Sequence, residues 1–142
     1  MGTTRTYKAH VTIPSQTERL SEVRDFISLH AREHGFGDDD INKITIAVDE
    51  ACTNIIKHGY NFSPNFKIDV DIIRTGSQFE IMISDHGKQF NPNAVETPDM
   101  KEYLSHYRRG GLGMYLMKRI MDKVEFNFNS DKNTLRMVKT LQ

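Results

Sequence analysis

Apolar positions along the chain change period several times, and each change marks an element. From Tyr7 to Ile13 they alternate, with Tyr7, Ala9, Val11 and Ile13 set against Lys8, His10 and Thr12, which is the period of a half-buried strand ending at Pro14. Leu20, Val23, Phe26 or Ile27, and Leu29 then recur at helical spacing. Ser15 or Thr17 stands where a cap is needed and Gly35-Phe36-Gly37 ends the run. Asp38, Asp39 and Asp40 occupy a position where carboxylates favour a helix start, and Ile41, Ile44, Val48, Cys52 and Ile55 form one apolar stripe ahead of Gly59. Phe66 to Ile73 and Gln78 to Ser84 read as two antiparallel strands joined by the hairpin-sized turn Arg74-Thr75-Gly76-Ser77. After Gly113, the positions Tyr115, Leu116, Ile120 and Met121 predict a helix, followed by strands at Val124 to Phe128 and Thr134 to Leu141. Between Gly87 and Gly110 the pattern weakens, with Asn91-Pro92-Asn93, Pro98 and many polar residues, and connections of this length are usually functional or disordered.

Strand, helix, helix, hairpin, long loop, helix, hairpin is the order of an α+β protein, a two-layer α/β sandwich with helices covering one face of a mainly antiparallel sheet. A doubly wound parallel sheet would require strands and helices to alternate throughout. The 142 residues suit one domain spanning 1–142, without internal repeats. Lys+Arg and Asp+Glu both number 19, so no excess charge points to nucleic acid or to an anionic membrane. One cysteine, Cys52, excludes an intramolecular disulfide framework and suits a reducing compartment. No apolar run approaches the roughly 20 residues that cross a bilayer, and the amino end shows no hydrophobic signal core. Met1-Gly2-Thr3-Thr4-Arg5-Thr6 fits the loose myristoylation pattern, which alone anchors only marginally. The expectation is a cytoplasmic protein.

Three stretches can carry chemistry. Glu50 and Asn54 are four residues apart on the second helix, share a face roughly opposite the apolar stripe, and have Lys57 one turn further on. Together they can orient a nucleophile and hold a hard divalent cation, although a helix face of this kind is commonly just solvated. Ile81-Met82-Ile83-Ser84-Asp85-His86-Gly87 is a buried-looking strand ending in a carboxylate that can accept from an exocyclic amine, with Gly87 letting the backbone turn close to a ligand. As a bare Asp-x-Gly turn it would be ordinary. Arg108-Arg109-Gly110-Gly111-Leu112-Gly113 leads into a helix whose free amides can bind phosphate, with Arg109 adding a charge-assisted contact. Its spacing is neither that of a Walker A loop nor that of a dinucleotide-binding fingerprint.

Taken in order, Glu50-Ala51-Cys52-Thr53-Asn54, Asp85-His86-Gly87 and Gly110-Gly111-Leu112-Gly113 resemble the three nucleotide-binding boxes of the GHKL ATPases, the Bergerat fold. Within that superfamily, Val11-Thr12-Ile13-Pro14 and the run from Ala47 to Tyr60 look like the anti-sigma-factor serine kinases of bacterial partner-switching systems, and the likeness covers nearly the whole chain. The resemblance implies ATP or ADP as the nucleotide, with Asn54 binding Mg²⁺ and Glu50 acting as general base toward a serine hydroxyl. It implies that Asp85 recognises the adenine amine, Gly87 completes that turn, and Thr134 reaches the adenine pocket. Gly110, Gly111, Leu112 and Gly113 would cradle the phosphates, Arg109 would approach the terminal phosphate, and residues 88–109 would be the lid. The implied partners are an anti-anti-sigma factor as serine-bearing substrate, a sigma factor to sequester, and a second copy in a homodimer. Two departures stand out. Gln89 occupies the place of a second-box glycine, and Asn133 stands before Thr134 where a glycine is common, a change mild for a residue that tolerates a left-handed turn.

The competing readings are weaker. His30-Ala31-Arg32-Glu33-His34 matches an inverted zinc-protease motif but finds no third ligand downstream. Cys52 shares the apolar stripe and reads as a packed thiol, and Met114, Met117 and Met121 read as adaptable core or a docking face. A nucleotide-dependent binding module that docks a partner without phosphorylating it is the alternative from another class. A detached histidine-kinase catalytic domain ranks behind both.

Overall fold

The computed structural model describes residues 5–87, 113–129 and 131–142. Strand β1 (Thr6–Pro14) leads into helix α1 (Leu20–His34) and helix α2 (Asp38–Asn54), which continues as a wider π-helical turn at Ile55–Gly59. Strands β2 (Lys67–Thr75) and β3 (Gln78–Asp85) follow, and after the undescribed segment come α3 (Gly113–Ile120), β4 (Lys123–Phe128) and β5 (Asn133–Thr140). The five strands form one sheet in the order β1-β2-β3-β5-β4, with every neighbouring pair antiparallel. The α+β sandwich expected from the element order is therefore the architecture found, with the helices on one face.

Register explains why only one face accepts them. Ala9, Ile72, Ile81, Met137 and Val124 lie side by side across all five strands, as do Val11, Val70, Ile83, Leu135 and Phe126. With a side-chain period of two, these two rows put their apolar side chains on the helix side. Ile72, Ile81 and Met137 at their centre are completely buried, and each such aliphatic side chain contributes about 1.5–3 kcal/mol by leaving water. The row between them, His10, Asp71, Met82, Arg136 and Glu125, faces the other way. There His10 meets Asp71 at 2.6 Å, and Arg136 pairs with both Glu80 and Glu125. Pro14 sits within β1, where an edge strand tolerates its missing N–H.

The helices follow their stripes with three corrections. In α1 the buried positions are Leu20, Val23, Ile27 and Ala31, whereas Leu29 is exposed because nine residues carry it half a revolution from Leu20. In place of a side-chain cap, Thr17–Arg19 form a short 3₁₀ turn; the Ser15 hydroxyl instead donates to the Ser63 carbonyl and accepts from Phe66 N–H. At the end of α2 the extra residue of the π-helical turn shifts the phase, so that Ile56 takes the core position while Ile55 is only partly buried. Gly35 ends α1 at φ 112°, a left-handed conformation suited to glycine. Met117 and Met121 lie in the core beside α2, on which α3 packs. Among the described residues no helix is long and apolar enough to cross a membrane.

Candidate functional site

Two backbone segments meet at the end of the sandwich where α2 stops and β3 opens. The π-helical turn closes with Tyr60 N–H donating to the Ile55 carbonyl, and the next two residues, Asn61 and Phe62, are left-handed at φ 50° and 64°. Departures of this kind from regular helix gather at functional sites. They lower Gly59 onto the turn after β3 so closely that a Cβ built on Gly87 would stand 2.7 Å from the Gly59 carbonyl carbon and oxygen. A glycine is required there by contact rather than by torsion. The Tyr60 hydroxyl stitches the seam, accepting from His86 N–H at 2.8 Å and donating to the Lys67 carbonyl at 2.6 Å. Burial pushes the Tyr60 phenol above its ordinary pKa, so it stays protonated and able to donate.

On this seam Asp85 is buried at 5% exposure, and its Oδ1 accepts from Gly87 N–H at 2.9 Å and from Asn133 Nδ2 at 3.0 Å. Asn133, buried at 6%, lies directly opposite Asp85 on β5 and also donates to the Gly87 carbonyl at 3.2 Å. Its Oδ1 is the one buried side-chain polar atom among the described residues without a partner. Leaving such an atom unmet costs about 1–3 kcal/mol. Thr134 does not join this group: it lies opposite Ser84, one residue out of phase, so strand alternation turns it toward the opposite face. Asn133 is also not left-handed, since Asn61 and Phe62 are the only such non-glycine residues among those described. By sequence alone it reads as a turn residue; the signal that marks it is its parity with Leu135 and Met137, which assigns it to the core face.

Glu50 and Asn54 lie on the last two turns of α2, both half-buried. Burial is the main cause that lifts the Glu50 carboxyl above its ordinary value; Lys57 pulls it down and the neighbouring Asp49 adds to the rise. Asp49 itself is held by Arg24 of α1 at 2.6 Å. Gly113 begins α3, while Arg109, Gly110, Gly111, Leu112, Gln89 and the expected lid at 88–109 lie outside the described residues. Cys52 is wholly buried and its thiol is pushed up to about 12, which leaves no thiolate for nucleophilic chemistry near neutrality. His34 accepts from Arg74 Nε and donates to the Ser77 carbonyl, and His30 stacks edge-on against Phe26.

A carboxylate at a buried strand end, an unmet acceptor beside it and a carboxylate–carboxamide pair on the adjoining helix are groups that a nucleotide site uses, and similarity to known proteins gives the class as a nucleotide-dependent phosphotransfer domain. The chain belongs to the histidine kinase-like ATPase domain family, whose profile it matches over residues 13–139. It is 33% identical over 136 residues to the serine-protein kinase RsbW of Halalkalibacterium halodurans, covering 93% of this chain and 82% of that protein. It is 34% identical over 134 residues to RsbW of Bacillus velezensis, covering 91% and 82%. Solved structures share the fold. One holds the RsbU and RsbW domains of Rv1364c from Mycobacterium tuberculosis, with a TM-score of 0.62 at 15% identity over 95% of this chain and 32% of that one. Another is the SiaB–SiaC complex of Pseudomonas aeruginosa, with a TM-score of 0.61 at 13% identity over 92% and 88%.

Two outcomes follow. Gly87→Ala must force the Gly59 backbone aside, at a cost of about 1–3 kcal/mol, and should lower both the denaturation midpoint and nucleotide affinity. Unchanged values would remove the seam from the site. For Glu50, a raised folded-state pKa means that its contribution to stability is present below the ordinary carboxylate range and is lost as pH rises through the raised value. Glu50→Gln should therefore melt higher than the wild type at neutral pH, with the gap narrowing as pH falls into the carboxylate range; a gap independent of pH would contradict the buried charge.

Proposed function

We propose that this chain is an ATP-dependent serine-protein kinase that phosphorylates an anti-anti-sigma factor and holds a sigma factor when that substrate is spent. The carrying observation is the Gly59–Gly87 contact, which joins the end of α2, bearing Glu50 and Asn54, to the Asp85 turn. One pocket can then grip a base at one side and phosphates at the other. The RsbW relatives are named serine-protein kinases and cover most of the chain, which supports the same reading.

In this reading Asp85 accepts from the adenine 6-amino group and Gly87 keeps the turn tight. Asn54 holds Mg²⁺, for which an uncharged carboxamide oxygen on a half-buried helix face is a suitable hard donor. A Mg²⁺ held by Asn54 would supply charge neutralisation to the phosphates. Arg109 and the amides of Gly110, Gly111, Leu112 and Gly113 take the phosphates, and 88–109 covers them. Glu50 removes the proton from the incoming serine hydroxyl, whose oxygen forms a bond to the terminal phosphorus as the bond to the ADP oxygen breaks. A carboxyl held above its ordinary range is a stronger base for that proton, and phosphoryl transfer otherwise asks mainly for positioning and charge neutralisation. Thr134 is left out of the base subsite on register grounds. The working form is a cytoplasmic homodimer.

Incubation with labelled ATP, Mg²⁺ and candidate anti-anti-sigma proteins should yield phosphoserine that disappears in Glu50→Ala. Nucleotide binding with no transfer to any partner would instead favour a binding module, and phosphohistidine on a partner would favour a histidine-kinase domain. Asn54→Ala should keep the fold, read by circular dichroism, and lose the Mg²⁺-dependent part of ATP affinity. Equal affinity with and without the ion in both proteins would overturn the metal assignment.

A further inference from the structure

The Asn133 carboxamide has only one way to face. Its NH₂ points at the Asp85 Oδ1 and at the Gly87 carbonyl, both acceptors, and turning the amide over would set oxygen against oxygen at both contacts. The Oδ1 left over is buried and unpartnered, and it sits on a side chain bonded to the carboxylate assigned to the base. Whatever meets it must bring an N–H or O–H. We propose that Asn133 Oδ1 is a second acceptor for the exocyclic amine of adenine, so that a carboxylate and a carboxamide read the two hydrogens of one amino group. A 6-oxo purine would confront this pair with a third acceptor, which makes Asn133 a residue that sets nucleobase specificity. The inference rests on the reading of Asp85 as the adenine contact.

The test is calorimetric titration of the full chain with Mg²⁺ and either ATP or purine riboside triphosphate, which lacks the 6-amino group. The proteins are wild type, Asn133→Ala, Asp85→Ala and the double variant, with Asn133→Val, which also lacks an acceptor, replacing Asn133→Ala should the latter fail to fold. Removing the acceptor should weaken ATP by about three- to tenfold and leave purine riboside triphosphate within about twofold, so that the preference for ATP shrinks. In the Asp85→Ala background the same removal should shrink it further. If Asn133→Ala lowers the melting temperature of the free protein but leaves the preference intact, the residue is an internal brace meeting a water, and the proposal fails. If the preference changes in the wild-type background alone, Asn133 acts only through Asp85 and direct acceptance is overturned. If Asp85→Ala leaves the preference unchanged, the base-recognition reading itself falls.

Discussion

The close approach of two backbones, Gly59 against Gly87, is the constraint on which the rest of the site depends. Because no side chain separates them, the end of the long helix and the open end of the central strand lie directly against each other. The π-helical turn supplies the extra residue that lets the helix end settle there, and the Tyr60 hydroxyl spans from His86 to Lys67 to hold the turn in place. Enlarging Gly87 would push the metal-binding side of the proposed site away from its base-binding side, whereas a Cβ on Gly59 would meet nothing closer than 3.7 Å.

Burial sets the electrostatics of the same region. Burial raises the affinity of Glu50 for a proton while Lys57 pulls the other way, an environment that suits the proposed general base. Cys52, two residues on, is buried completely and has no such balance, so it contributes only packing. The difference follows from helical phase: Cys52 lies on the stripe facing the sheet, and Glu50 is turned away from it.

The polar outer face of the sheet and the apolar inner face are consequences of a single register. His10 with Asp71, and Arg136 with Glu80 and Glu125, place polar pairs on the uncovered side, where the more exposed contact to Glu125 is worth little to stability. They do keep that side hydrophilic, so the layer of helices has one face on which to pack.

Periodicity alone was enough to determine the two-layer α+β architecture, the helix bearing Glu50 and Asn54, the strand ending at Asp85 and the packed nature of Cys52, because these depend on spacing within one element. The spacing also misplaced Leu29 and the exact phase of Ile55 and Ile56, since a long step or a single extra residue in a turn rotates everything beyond it. Only the assembled chain decided that Asn133 rather than Thr134 stands beside Asp85 and that Gly87 is a glycine for want of room. Both are pairings between segments distant in sequence, governed by strand parity and by contact between backbones, and no local pattern carries that information.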